Sequence, residues 1–179
     1  MTSGRGAIQS EYMHWAKTQS KATYCLSSSE VPHFRLDRLP VSVSDLDMDG
    51  ASHPRYEPLR QAIGGRYGVD VGQVVTANGT SMANFLAMAA LIRPGDEVAF
   101  EWPAYEPMLS AARFLGADVK PVERLVEERF KLDVERLASV VTSDTRLIVL
   151  ANLHNPTGAL TEEADLIAIH EIAERCGAV

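Results

Sequence analysis

The sequence has no long apolar run, no cluster of one-signed basic charge and almost no cysteine. Each absence removes a class of function. No stretch approaches the roughly 18 apolar residues that a membrane span needs, so a membrane protein is not expected. The N-terminal thirty residues mix Arg5, Glu11, Lys17 and Lys21 with polar side chains, and no secretory signal is legible there. No lysine or arginine run offers a field for a phosphodiester backbone, and the formal net charge is −7 at pH 7, so nucleic acid is not an expected partner. The two cysteines, Cys25 and Cys176, are far apart and in no metal-ligand spacing. They suit a reducing compartment and no disulfide framework, and the expected location is the cytosol. What remains is 179 residues, 46% hydrophobic and 23% charged, the balance of a globular protein with one core.

The first 55 residues read as an arm. A short helix is expected around Glu11–Thr18, followed by the polar break Ser27-Ser28-Ser29 and a loop rich in proline (Pro32, Pro40, Pro54). Within it Asp45, Asp47, Asp49 and Gly50 imitate the start of a calcium-binding loop. The imitation fails at the twelfth position, which is Tyr56 where a bidentate glutamate is required. No metal site is expected.

From Tyr56 onward strand and helix alternate. Leu59–Tyr67 has helical spacing and a glycine stop at Gly68. Gln73–Ala77 reads as a strand, and a helix to about Ile92 follows, with Met82, Phe85, Leu86, Ala89 and Ile92 as its buried stripe. Glu97–Phe100 is a strand, Met108–Leu115 a helix with Gly116 as its C-terminal cap. Asp118–Val122 is a strand placed at a sheet edge by Pro121, and Arg129–Leu132 a further extended piece. Asp133 caps a helix to about Val141, Arg146–Leu150 is a strand and Glu162–Cys176 a helix. Such alternation predicts an α/β fold, a three-layer sandwich with a mostly parallel sheet. A helix that packs on a sheet normally returns into another strand, so the 56–179 region is expected to be the first part of a larger, truncated domain.

Three turns fall at carboxyl ends of expected strands or at helix starts, where ligands of open parallel sheets bind. Asn78-Gly79-Thr80-Ser81 opens a helix, and its N–H groups suit a phosphate; Thr80 and Ser81 are equally ordinary capping residues. Pro103-Ala104-Tyr105 offers an aromatic face to a planar ligand, with Trp102 as the rival and plain packing as the alternative for both. Asn155-Pro156-Thr157-Gly158 presents an amide that donates and accepts, in a sequence that also makes a common turn. His154 adjoins it, and strand alternation would point that ring to the opposite face.

These segments, with Leu59-Arg60-Gln61-Ala62-Ile63, Pro94-Gly95-Asp96-Glu97-Val98 and the spacing from Tyr105 to Gly116, resemble the N-terminal part of a fold type I pyridoxal-phosphate enzyme of the class I/II aminotransferase family. The similarity runs from about Tyr56 to the end. It implies pyridoxal 5'-phosphate as cofactor, an amino acid and a 2-oxo acid as substrates, and a homodimer. It also implies that Gly79, Thr80 and Ser81 hold the phosphate, that Tyr105 stacks on the pyridine and that Asn155 bonds its 3-oxygen. The lysine that anchors the cofactor matches no position here; Lys120 and Lys131 lie in segments without such a role, so no catalytic residue is expected in this chain. Tyr56 is a candidate for the tyrosine that reaches a partner's phosphate, and Ser27-Ser28-Ser29-Glu30 departs from the family's glycine-bearing turn. Other reactions of the same cofactor, elimination or decarboxylation, and a non-catalytic fragment or pseudoenzyme are the competing expectations.

Overall fold

A computed structural model describes residues 10–18, 23–24, 33–45 and 56–179. Cys25, Ser27–Glu30, Asp47, Asp49 and Gly50 lie outside them. The described residues form two compact units, one of 10–18 with 77–179 and the other within 19–76.

In the smaller unit α2 (Glu57–Tyr67) ends at Gly68 as expected. Its Arg60 is buried; Nε donates to the Val74 carbonyl at 2.9 Å, a terminal nitrogen donates to the Val71 carbonyl, and another meets Glu57 at 2.7 Å. One guanidinium thereby ties α2 to the Val74 carbonyl and to the Val71 carbonyl, which also accepts the Val74 N–H. The expected strand 73–77 is absent. Val71–Gln73 is a 3-10 turn whose start is closed by a capping box, Asp70 accepting the Gly72 N–H and Gln73 accepting the Asp70 N–H, and 74–77 is extended without a paired neighbour among the described residues. A strand is defined by its partner, and the described residues give this run none.

The larger unit is built on β1 (Glu97–Trp102), with β2 (Asp118–Glu123) on one side and β3 (Thr145–Val149) on the other, both parallel to it. The period-2 alternation of β1 divides the core. Val98 and Phe100 face α3 (Thr80–Leu91) and α4 (Glu106–Phe114), joined by Met88, Ile92, Leu109, Ala112, Leu147 and Val149. Ala99 faces the other way, towards α5 (Val134–Val140) and α6 (Glu163–Cys176), with Val122, Leu132, Leu137, Ile169 and Ile172. Two helical layers thus enclose a parallel sheet, as the alternation of elements predicts. Pro121 lies on β2, an outer strand, where its missing donor costs least.

Two expectations about local structure are corrected. Arg129–Leu132 is not extended: it follows a 3-10 turn at Val126–Glu128, and Arg129 and Phe130 take positive φ values of 52° and 57°. On α3 the buried side is Met88 and Ile92 with Phe85 half-buried, whereas Met82, Leu86 and Ala89 are exposed. The helix is apolar on nearly every face, so its sequence pattern did not say which side the sheet would take. The helix α1 (Glu11–Thr18) forms where expected. Among the described residues no helix is long and apolar enough to cross a membrane.

The Pro94-Gly95-Asp96 turn and Gly116 explain each other. Gly95 N–H donates to the Gly116 carbonyl at 2.8 Å and Asp118 N–H to the Asp96 carbonyl at 2.8 Å, so the turn before β1 and the end of α4 are laced together. Gly116 has φ of 84°, and a Cβ there would stand 3.1 Å from Cα and Cβ of Pro94. Both the dihedral and the close approach require glycine. Gly116→Ala is expected to cost about 1–3 kcal/mol, seen as a lowered midpoint in urea unfolding; an unchanged midpoint would refute this.

Candidate functional site

The strand order sets the place of the site. From β1 the chain crosses through α4 on one face to β2, then through α5 on the other face to β3. Direction and face reverse together, as a constant crossover hand requires. Adjacent strands β1 and β3 therefore send their following helices, α4 and α6, to opposite faces. Their outgoing loops diverge, and a crevice opens between them at the carboxyl edge.

Residues Pro103–Tyr105 form one wall of that crevice and 151–162 the other. They are bonded across it by His154. Its Nε2 lies 2.8 Å from the Pro103 carbonyl and its Nδ1 2.6 Å from Oγ1 of Thr157. Since a carbonyl only accepts, Nε2 carries the proton and the Thr157 hydroxyl donates to Nδ1. The ring is 1% exposed. Burial holds its pKa below the ordinary histidine value, the Pro103 bond pulling the other way and the nearby Arg124 charge adding to the lowering. The expectation that His154 points away from the motif is thus corrected in its premise: β3 ends at Val149, so strand alternation no longer governs position 154.

The motif itself is a closed turn. His154 N–H donates to the Ala159 carbonyl at 2.9 Å, Gly158 N–H returns to the His154 carbonyl at 2.7 Å, and Ala159 N–H meets Oγ1 of Thr157 at 3.3 Å. Thr157 and Gly158 build the loop and leave Asn155 exposed on it. Tyr105, half-buried, is the N-cap of α4. Trp102 shares the parity of Phe100 and lines a cleft of about 300 Å³ between α4 and β2 with Leu109 and Arg113, a different location from the crevice.

Gly79, Thr80 and Ser81 open α3. Arg146 Nε donates to the Leu91 carbonyl at 3.1 Å, which ties the C-terminus of α3 to the start of β3 and turns its N-terminus back towards the carboxyl edge. Gly79 is the N-cap, with φ of 82°, and no side chain caps the helix. The first N–H groups of α3 are therefore exposed and uncapped, the condition under which a helix start accepts an anion. These three residues make no hydrogen bond to either loop among the described residues. The donor set, an uncapped helix start with an aromatic ring and an exposed amide on the two loops, fits a phosphorylated heteroaromatic group.

Beneath the crevice lies a polar core that the sequence reading missed. Glu101, 2% exposed, pairs with Arg124 at 2.6 Å and accepts the Ala151 N–H at 2.6 Å. Arg124 also reaches Oγ1 of Thr161 and the Phe130 carbonyl, both at 3.2 Å, while its Nε–H has no partner among the described residues. Asn152 and Thr161 exchange two bonds, Nδ2 to carbonyl at 3.1 Å and N–H to Oδ1 at 3.0 Å. Burial pushes the Glu101 carboxyl up from its usual range, against the pull of Arg124 and the Ala151 N–H. A signal was available: Glu101 is a charged residue directly after the apolar run Val98–Phe100 of β1.

Comparison with known proteins gives the family. Residues 51–179 match the family model for aminotransferase class I and II. The chain belongs to that family. It is 33% identical over 147 residues to an aromatic amino acid aminotransferase of Cutibacterium acnes, which covers 79% of this chain and 40% of the relative. To a probable aspartate aminotransferase of Streptomyces griseus it is 31% identical over 146 residues, 73% of this chain and 68% of the relative. Among solved structures, alanine aminotransferase from Pyrococcus furiosus superimposes with a TM-score of 0.66 at 30% identity, and N-succinyldiaminopimelate aminotransferase from Mycobacterium tuberculosis with 0.65 at 34%. Each covers 70% of this chain, which spans 33% and 35% of theirs. The expected fold, a fold type I aminotransferase sheet with helices on both faces, is borne out, and so is the family's cofactor, pyridoxal phosphate. Lys120 pairs with Asp118 at 2.8 Å and Lys131 with Asp165 at 3.7 Å; both lie away from the crevice walls. Tyr56 is exposed.

A neutral His154 has a testable sign. Its folded pKa is lowered, so the unfolded chain binds more protons as pH falls. Its share of stability is present above the unfolded value of about 6.5 and lost as pH drops through the folded value. In His154→Gln this part of the pH dependence of the unfolding midpoint is expected to vanish; an unchanged slope between pH 7 and pH 5 would contradict the assignment.

Proposed function

We propose that these 179 residues form the cofactor-cradling part of a pyridoxal-phosphate-dependent aminotransferase, which moves an amino group between an amino acid and a 2-oxo acid. The observation that carries this reading is the His154 bond across the β1/β3 crevice, which holds the Tyr105 turn and the Asn155 loop as two walls of one site. The uncapped start of α3 supplies the third element.

In this reading the N–H groups at Thr80 and Ser81 take the phosphate, aided by the positive end of the α3 dipole. Gly79 lets the chain turn into the helix at positive φ without a side chain in the way. The ring of Tyr105 covers one face of the pyridine and sheds water from it. Asn155 donates from its amide to the ring 3-oxygen, at an angle set by the Thr157–His154 bond. When bound, pyridoxal phosphate supplies a cationic ring that stabilises negative charge at the substrate α-carbon. The covalent anchor is not assigned to Lys120 or Lys131. Elimination and decarboxylation use the same cradle, and family membership favours amino transfer. The full enzyme acts in the cytosol as a homodimer, and residues 1–55 serve it as an N-terminal arm preceding a large domain that begins at 56.

Proline is tolerated at the first position of a helix but has no N–H to give. Thr80→Pro should therefore leave the far-UV spectrum unchanged while removing one phosphate donor. A charge-assisted bond of about 1.5–3 kcal/mol corresponds to a loss of roughly ten- to a hundredfold in pyridoxal phosphate affinity, with binding of unphosphorylated pyridoxal unaffected. Equal affinity of variant and wild type for the phosphorylated ligand would sink the assignment. Borohydride treatment of the wild-type mixture is expected to leave Lys120 and Lys131 unmodified by peptide mapping.

A further inference from the structure

The Tyr105 ring is not bare on all sides. Ser10, the residue before α1, accepts the Met13 N–H at 3.2 Å and donates its hydroxyl to Glu106, the residue after Tyr105. One serine thus starts α1 and fastens that start to the turn that carries Tyr105. One residue into the helix, the Tyr12 ring meets Tyr105 edge-on, with centroids 6.0 Å apart and planes at 71°. Trp15, three residues on and so on the same helical face, continues the series at 6.3 Å from Tyr12.

Tyr12 is 41% and Trp15 51% exposed. Two large aromatic rings left half in water beside a ligand-facing ring mark a surface that buries area when something arrives. Among the described residues, Glu11 and His14 lie on α1 beside these rings, and Glu106 lies below them at the start of α4. An acidic side chain would meet like charge here, while an apolar one would meet rings.

We propose that Tyr12 and Trp15 are specificity-determining residues: they receive the side chain of the amino-acid substrate and select aromatic and large apolar side chains over acidic ones. This rests on the cofactor reading above and adds the substrate class to it. Tyr105 would cover the cofactor ring and the substrate would be joined to that ring, which would bring its side chain towards Tyr12, 6.0 Å from Tyr105. Ser10 fixes the distance by fastening α1 to α4.

Reduced conjugates of cofactor and amino acid test this without turnover, since they need no anchoring lysine. Phosphopyridoxyl-L-phenylalanine, phosphopyridoxyl-L-aspartate and pyridoxamine phosphate are titrated into the chain by calorimetry. The phenylalanine conjugate is expected to bind at least about tenfold more tightly than the aspartate conjugate, the scale of one buried aromatic contact. In Tyr12→Ala/Trp15→Ala that preference should fall to within about threefold while pyridoxamine phosphate binds as before. Tyr12→Phe/Trp15→Phe, which keeps both rings, should restore it. Equal binding of the two conjugates to wild type, or an undiminished preference in the alanine variant, overturns the inference and leaves the cofactor reading standing. Failure of pyridoxamine phosphate itself to bind overturns both.

Discussion

The arrangement depends on a buried ion pair at the carboxyl edge of the sheet. Glu101 leaves β1 on the α5/α6 face, Arg124 follows β2, and they meet at 2.6 Å with no water access. Two charges out of water are costly, and such a pair is retained only where further bonds complete it. Here the completion comes from the loop after β3, through the Ala151 N–H and the Thr161 hydroxyl. A constraint on charge burial thereby becomes a constraint on loop position. Removing either partner alone would leave a buried charge, a loss of about 3–5 kcal/mol, and would free the loop that carries Asn155.

The family's short segments divide by what they do. Leu59-Arg60 supplies a guanidinium that satisfies the backbone carbonyls at Val71 and Val74. Pro94-Gly95-Asp96 and Gly116 are one packing contact seen from its two sides. Thr157 and Gly158 shape a turn. The α3 start, Tyr105 and Asn155 are the residues of the proposed cofactor site. His154 belongs to neither set: it touches no ligand in this account, and it sets the spacing between two residues that do.

Much of this was legible in the sequence, because α/β alternation follows from side-chain periodicity and turn chemistry, which are local. β1, β2, β3, α5 and α6 lie within a residue or two of expectation, and Pro121 correctly marked an edge strand. What failed was non-local. The extended run at 74–77 has strand composition but no partner among the described residues, α3 is apolar all round and so did not disclose its buried side, and Arg129–Phe130 adopts left-handed backbone that composition does not announce. In the site, Gly79, Thr80, Ser81, Tyr105 and Asn155 could be named from motif and resemblance. Of their supports Glu101 left a mark, its charge within β1; that it gathers with Arg124, Thr161 and His154 follows from the order of the strands, which is not local. Tyr12 was hidden for the same reason, 93 residues from the ring it touches.

The central claim is that three separate turns make one cofactor site. Its most direct test is a titration of the 15N-labelled chain with pyridoxamine phosphate, followed in a two-dimensional amide NMR spectrum. The account predicts that the amides of Thr80, Ser81, Tyr105 and Asn155 shift together along a single binding isotherm. Shifts confined to the α3 start, with Tyr105 and Asn155 unmoved at saturation, would contradict it.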